Sequence, residues 1–512
     1  MVDNKQDNRL IQDRIKKVNE IRELGVNPYP YNYEVKNKAK DLKEKYSSLK
    51  PEEHTSDMVQ VAGRIMLLRK MGKASFAIIQ DDTAKIQVFL KKDEVGEDKY
   101  KVFKKSDIGD FFGFKGEVIT TKTGELSVLV KDLQLLSKNI RPLPEKFHGL
   151  QDKELRYRQR YTDFIMNPEV KETFEKRSAI IKAIRDFMHE KGFIEVETPL
   201  LQTQYGGANA RPFITHINAW DMPMFLAISP ELYLKRYIVG GFEKVFTICK
   251  NFRNEGVDHS HNPEFTMLEA YQAYADYNDM MQLIEECYEY VSLKVLGTTK
   301  VKRTIIKEDA SEEEIILDFK APWPRVKFLD AIKEKLDLDV NEMGVDALKV
   351  TAENYNLEIE NCESWGDYVS LLFDELVEDK YVQPTHIYDR PKEATPLCKR
   401  TKYDDRLNEQ NEPVGAGMEL GNMYSELNDP VLQRELLEEQ ASKLRAGADE
   451  AHPMDEDFVN AIETGMPPTG GIGWGIDRMI MLLLNQYSIR DVIAFPTMKP
   501  ETQEEQGKKK EK

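Results

Sequence analysis

Five short runs between residues 58 and 136 constrain the fold of this 512-residue chain more than any other feature: MVQVAGRIMLLRK, SFAIIQD, KIQVFLK, FFGFKGEVIT and LSVLVKDLQLL. Each alternates apolar and polar residues, is rich in β-branched and aromatic side chains, and stops at a turn signal such as TKTGE. Five strands in so short a span predict a small closed barrel. Upstream, Ile11, Ile15, Val18 and Ile21 recur at helical spacing until Gly25, so residues 1–55 read as an amphipathic helix and an extended arm. Downstream, KNIRPLPEKFHGL reads as a linker, and DKELRYRQRY is too charged for a core and is expected on a surface between domains. A long helical pattern from about 170 ends at Gly192, and strands and helices then mix without an internal repeat to about residue 500. The chain therefore divides into an arm (1–55), a barrel (56–140), a linker (141–160), one large α+β domain (161–500) and a charged, disordered tail (501–512).

A five-stranded barrel over 56–140 is of the oligonucleotide-binding type, which holds single-stranded nucleic acid by stacking bases on aromatics and reading their edges with polar groups. Phe76 and Gln87 on successive strands, with Arg64 and Glu125, are the candidates, although alternation alone leaves Phe76 equally readable as core. The net charge of −17 argues against general affinity for nucleic acid or anionic membranes. Residues 58–140 nevertheless carry 15 Lys/Arg against 11 Asp/Glu, a local excess of +4 that permits one polyanion-facing domain. Cys249, Cys287, Cys362 and Cys398 lie far apart without CxxC spacing, so neither a zinc site nor a disulfide framework is signalled. No leading apolar segment and no uncharged run near the roughly 18 residues of a membrane span is present, and a cytoplasmic protein is expected.

Three stretches of the large domain carry chemistry: GFIEVETPLL (192–201), FRNEGVDHSHNPEF (252–265) and PPTGGIGWGIDRMIMLLL (467–484). In the last, glycines at 470, 471, 473 and 475 make a strand that a flat ring could approach closely, running into an apolar helix with Arg478 in its first turn. Together these stretches resemble motifs 1, 2 and 3 of the class II aminoacyl-tRNA synthetases. Within that class the chain is similar to the lysyl-tRNA synthetases through GKASF, GGANARPFITH, PELYLKR, GGFEKVF, EFTMLEAYQAYADY, MELGNMYSELND and SIRDVIAFPTM, from about residue 8 to 500.

The resemblance implies an ATP-dependent ligase that adenylates L-lysine and transfers it to lysine tRNA. It assigns Arg253 to the α-phosphate and the lysine carboxylate, Glu255 to the adenine amino group, His261 and Asn262 to phosphate or ribose, Phe265 to stacking on adenine and Arg478 to the γ-phosphate. A lysine ammonium needs carboxylate partners when desolvated. The matching positions are Glu426, Glu269 and Tyr271, with Glu231 and Gly207 near the α-amino group and Asn422 and Tyr424 as wall. Glu412 and Glu419 match the pair that holds Mg²⁺, with one departure: Gln410, Asn411 and Glu412 stand where the family usually has Arg-Phe-Glu, and Pro413 follows, restricting Glu412 and removing a ladder donor. Phe76, Gln87 and Glu125, with Arg64 beside them, match the anticodon readers, and GFIEVETPLL matches the segment through which such enzymes form homodimers. Aspartyl- and asparaginyl-tRNA synthetases share barrel and motifs, but an aspartate pocket needs a cation facing the substrate side chain. A paralogue that modifies a translation factor, or a non-catalytic RNA-binding relative, are the other readings.

Overall fold

The computed structural model describes residues 5–144, 150–306, 311–360, 362–445 and 453–501, so the expected tail from residue 502 lies outside the described residues. Two compact units emerge, one carrying the barrel and comprising the residues up to Gln151 together with those from Lys499, the other spanning Asp152–Met498.

In the first unit the five sequence runs become strands His54–Met71, Ala74–Gln80, Lys85–Lys91, Phe111–Thr120 and Leu126–Ser137. The barrel closes because the third strand pairs in parallel with the fifth, Gln87 opposite Ser127, while all other neighbours are antiparallel. Its interior is filled by the inward half of each alternation, Val59, Val61 and Ile65 from the first strand and Ile86, Val88 and Leu90 from the third. The helix Glu97–Lys104 contributes Phe103, which meets Phe112 and Phe114 edge-on. The N-terminal helix Lys5–Glu23 buries Ile21 in this same core, and Lys17 pairs with Asp107 at 2.6 Å.

The second unit is built on a mixed, mainly antiparallel sheet of nine strands. Its centre runs Leu407–Gly415, Asn422–Ser425, Thr469–Gly475, Glu264–Ala273 and Lys244–Phe252 in spatial order. The helices Pro168–Glu190, Tyr277–Leu296 and Ile476–Leu483 cover one face, their apolar stripes forming the main core around Phe246, Leu268, Ile472 and Trp474. Asp276 and Asp279 form a capping box that starts the helix Tyr277–Leu296. After Gly192 the expected strand is only Ile194–Glu195, which pairs in parallel with Val245 and Phe246 at the sheet edge.

One residue of a stretch otherwise at the surface, as its charge predicts, is buried. DKELRYRQRY folds as helix Lys153–Arg158 and the start of helix Arg160–Met166 within the second unit, and Arg160 is only 2% exposed. Its guanidinium reaches Asp163 at 2.8 Å and donates to the carbonyls of Arg490 and Ala494, so the buried charge is fully met by partners that lie more than 300 residues away or one helical turn on.

Candidate active site

Side chains on a strand alternate between faces, so Phe265, Met267, Glu269 and Tyr271 look the same way from one strand. The glycine strand lies beside it in register, Gly473 opposite Glu269 and Gly471 opposite Tyr271, and the next strand sets Asn422 against Gly473 and Tyr424 against Gly471. Two rows thus cross three strands with a glycine in the middle of each. Gly471 is required by this closeness: a Cβ there would sit 2.0 Å from a Glu426 carboxylate oxygen and 2.5 Å from the Tyr271 ring. The gap it leaves is the floor of a cavity of about 340 Å³.

The two ends of the cavity differ in composition: one sets its arginines beside Glu255 and Glu419, the latter 3.2 Å from Arg478, and the other gathers carboxylates. At one end stand Arg253 and Arg478. Arg253 follows the strand Lys244–Phe252, donates its backbone N–H to Pro263 at 3.0 Å and lies 5.2 Å from the centre of the Phe265 ring. Burial lowers its affinity for the proton, opposed by Glu255 and Glu419, and its Nε has no hydrogen-bond partner among the described residues. Arg478 is aimed by its neighbour Asp477, which accepts from the Thr266 backbone N–H at 2.7 Å and pairs with Arg177 at 2.6 Å, locking the helix start to the adjacent strand. With its proton on Nδ1, His261 donates to Asp258 at 2.9 Å and accepts at Nε2 from Arg478 at 3.2 Å, which ties the exposed loop of the hairpin to the arginine. Asn262 is buried, with Nδ2 donating to the Glu264 carbonyl and Oδ1 unpartnered among the described residues. Glu255 is exposed at the rim.

At the other end Glu231, Glu269 and Glu426 converge with Tyr271 and Tyr424, all lining the same cavity. Glu269 accepts from the Ser229 hydroxyl at 2.8 Å and from the Tyr271 hydroxyl at 3.3 Å; burial, reinforced by the Glu231 charge, pushes its carboxyl up to about 8. Ser229 in turn accepts the Glu231 backbone N–H at 3.0 Å, and Gly207, at φ +85°, passes so close that a Cβ would meet Glu231 and Ser229 at 2.8 Å. One residue absent from the sequence reading is central: Lys235, one helical turn beyond Glu231, lies between Glu231 and Glu426. Its signal was the i, i+4 spacing in PELYLKR.

Every residue proposed from sequence for nucleotide and lysine lines this one cavity, and so does Glu419. Glu412 lines an adjoining cleft, which Glu419 and Arg478 share with Asp374 and Glu378. Despite Pro413, Glu412 stays in the ladder opposite Ile387. One oxygen accepts from Gln410 and Asn422, each at 2.9 Å, and the other meets Arg390 at 2.7 Å. Burial pushes its carboxyl up to about 7 against the pull of Arg390.

The barrel unit carries a second, open groove. Phe76 is half-buried rather than core and stacks flat on Phe89, centroids 4.3 Å apart. Gln87 donates to Ser127 at 2.8 Å, and Glu125 lines the same groove with Arg69 and Lys91. Arg64 does not line it: the guanidinium donates to the Gly109 carbonyl at 3.0 Å and lies 4.2 Å from the Phe111 ring centre. Phe89 and Arg69 were missed, although Phe89 is the direct cross-strand partner of Phe76 and the period-two pattern could have found it.

Residues 152–499 match the family model described as tRNA synthetases class II (D, K and N), and residues 59–136 match that of the OB-fold nucleic acid binding domain. The chain is 51% identical over 499 residues to the lysine–tRNA ligase of Clostridium novyi (strain NT), covering 96% of this chain and 95% of that one. It is likewise 51% identical over 495 residues to the lysine–tRNA ligase of Thermoanaerobacter sp. (strain X514), covering 96% of each, and 49% identical over 497 residues to that of Thermosipho africanus (strain TCF52B), covering 97% of each.

Proposed function

The chain belongs to the class II tRNA synthetases and, within them, to the lysine–tRNA ligases, and from that premise we propose how its residues share the work. The overall reaction has two steps. The lysine carboxylate attacks the α-phosphorus of ATP, forming lysyl-adenylate as the bond to pyrophosphate breaks; a hydroxyl at the 3′ end of lysine tRNA then attacks the lysyl carbonyl and AMP leaves.

The observation that carries the division of labour is the polarity of the cavity, two arginines at one end and three carboxylates at the other. In this reading lysine lies along it. Glu426, Glu269 and Tyr271 take the ε-ammonium, Glu231 and Gly207 take the α-amino end, and Asn422 and Tyr424 form the wall. The substrate carboxylate then points at Arg253, which also holds the α-phosphate. A planar cation with several donors suits two anions that must come within about 3 Å of each other for in-line attack. Phe265 stacks on the adenine, Glu255 accepts from its amino group, His261 and Asn262 contact phosphate or ribose, and Arg478 takes the γ-phosphate. A carboxylate is already an ionised nucleophile at neutral pH, so no general base is assigned; orientation and charge stabilisation carry the step. An aspartate substrate would need a free cation at the carboxylate end, and Lys235, the buried cation there, is already held by Glu231 and Glu426.

Glu412 and Glu419 suit Mg²⁺: both are hard oxygen donors bordering one cleft with Arg478, and Mg²⁺ is usually held by one or two carboxylates, with substrate phosphates and water completing the shell. When bound, the ion would neutralise charge on the departing pyrophosphate. The groove of Phe76, Phe89, Gln87 and Glu125 reads the anticodon by stacking and edge contacts. A homodimer through the motif 1 segment is supported by exposed apolar side chains there and nearby, Ile194, Leu201 and Ile214. No helix among the described residues is long and apolar enough to cross a membrane. On its resemblance to the lysyl-tRNA synthetases we assign the enzyme to the cytoplasm.

Arg253→Ala tests the reading. Lysine-dependent ATP/pyrophosphate exchange should fall by about 10²- to 10³-fold or more while tRNA binding is retained. Retained exchange would remove Arg253 from the chemistry.

A further inference from the structure

Lys235 has no exposed surface, yet nothing in the reaction requires a third cation at the carboxylate end of the cavity. Its Nζ lies 2.6 Å from Glu231 Oε1 and 2.5 Å from Glu426 Oε2, the latter a charge contact rather than a directed hydrogen bond. The helix that carries it packs Leu234 and Ile238 into an apolar cluster with Phe458 and Ile462, and Nζ itself is 5.9 Å from the Phe458 ring centre. An ammonium in such surroundings persists only because both carboxylates neutralise it. Each carboxylate gives Lys235 one oxygen. The other oxygen of Glu426, Oε1, is buried, has no hydrogen-bond partner among the described residues, and abuts the opening that Gly471 leaves in the cavity floor.

We infer that Lys235 is a positioning and specificity residue: it clamps one oxygen of Glu426 and one of Glu231, so that Glu426 Oε1 is presented to the ε-ammonium of the incoming amino acid. Once a guest's ammonium groups draw the protons off, three ionised carboxylates and one internal ammonium give this end of the cavity −2, the charge that a guest with two ammonium groups cancels. A guest with the same carbon chain and only an α-ammonium leaves one buried carboxylate unmatched. Burial pushes the Glu426 carboxyl up to about 8 in the empty pocket, and Lys235 pulls the other way, so the clamp favours the charged acceptor and a guest ammonium completes its ionisation.

The inference rests on the lysine-pocket reading above, and one experiment separates the two. Lys235→Met replaces the ammonium by an apolar chain of similar length. In ATP/pyrophosphate exchange we measure KM for L-lysine, KM for ATP, and the inhibition constant of L-norleucine, which is lysine without its ε-ammonium. The expected result is a lysine KM raised about tenfold or more, with the ATP KM changed by no more than about twofold and the norleucine constant, which depends on the clamped Glu231 alone, raised by several-fold less than the lysine KM, so that the preference for lysine over norleucine falls. Parallel losses for lysine and norleucine, or no change in either, would overturn the positioning role. If Lys235→Met does not fold, Lys235→Gln, which keeps a neutral donor, is read by the same ratio and should lose part of the preference; an unchanged ratio in it would also overturn the role. Absence of a lysine preference in the unaltered enzyme would instead fail the pocket reading itself.

Discussion

On the reading proposed above, the barrel groove and the cavity both serve a polyanionic substrate, by opposite physical means. In the groove, the stacked pair Phe76 and Phe89 offers a flat, half-exposed platform flanked by Arg69 and Lys91, and little charge is buried. In the cavity, Glu231, Glu269, Glu426 and Lys235 are all buried, and each is met by another member of the group or by Ser229. Stacking on an open face tolerates imperfect geometry and is worth about 1–3 kcal/mol per base. Buried charges are far less forgiving, because removing one partner strands the other in a medium that cannot hydrate it. On that reading tolerance belongs to the groove, and discrimination among amino acids to the cavity.

The sharpest way to break this contrast is Glu426→Gln. Removing one member of a buried charge group costs about 2–5 kcal/mol, so the lysine KM should rise by about 100-fold while the ATP KM stays near its original value. A rise of only a few fold would mean that the carboxylate end is solvated and the contrast false. Phe76→Ala comes next: about a tenfold rise in the tRNA KM for charging, with exchange in the absence of tRNA untouched. Loss of exchange in that variant would show that the two regions are not separable.

A pH series sharpens the cavity side at smaller amplitude. The Glu269 carboxyl sits at about 8 in the empty pocket against its ordinary 4.5, so it is protonated at pH 6.5 and ionised above pH 8. A bound ammonium favours the ionised form, so binding lysine at pH 6.5 must expel a proton. The increase in Tm that saturating lysine produces should therefore grow between pH 6.5 and pH 8, read by thermal melting, whereas a flat profile would remove Glu269 from the ammonium site. The same shift makes the unliganded protein less stable as pH rises from about 4.5 to 8, because a carboxyl whose folded value is raised holds its proton best in the folded state. The smallest effect belongs to Arg64→Ala. Its guanidinium is spent on the Gly109 carbonyl and the Phe111 ring, so the tRNA KM should move by less than about threefold; a larger change would return Arg64 to the reading face.

The contrast also explains what was legible before any coordinates. The barrel strands were readable because each carries its own period-two alternation, and the strand boundaries observed, such as Lys85–Lys91 and Phe111–Thr120, coincide with the runs. The cavity residues were readable through local strings, with Arg253 to Phe265 in one hairpin and Gly470 to Arg478 in another segment. What stayed hidden depends on partners far apart in the chain. Lys235 gains its meaning only when Glu426 arrives 191 residues later in sequence at 2.5 Å. Arg160 looked like surface because its acceptors, the carbonyls of Arg490 and Ala494, belong to the far end of the domain. Glu412 looked loosened by Pro413, yet the Arg390 guanidinium and the Asn422 amide, both from neighbouring strands, fix its carboxylate.

The most direct test of the central claim is amino-acid-dependent ATP/pyrophosphate exchange on the purified protein, run with each standard amino acid and without tRNA. Exchange driven by lysine alone is the predicted result, and it would tie adenylation to the carboxylate end of the cavity. Exchange driven by aspartate or asparagine instead would contradict the pocket, and no exchange with any amino acid would contradict the assignment of Arg253 and Arg478 to catalysis.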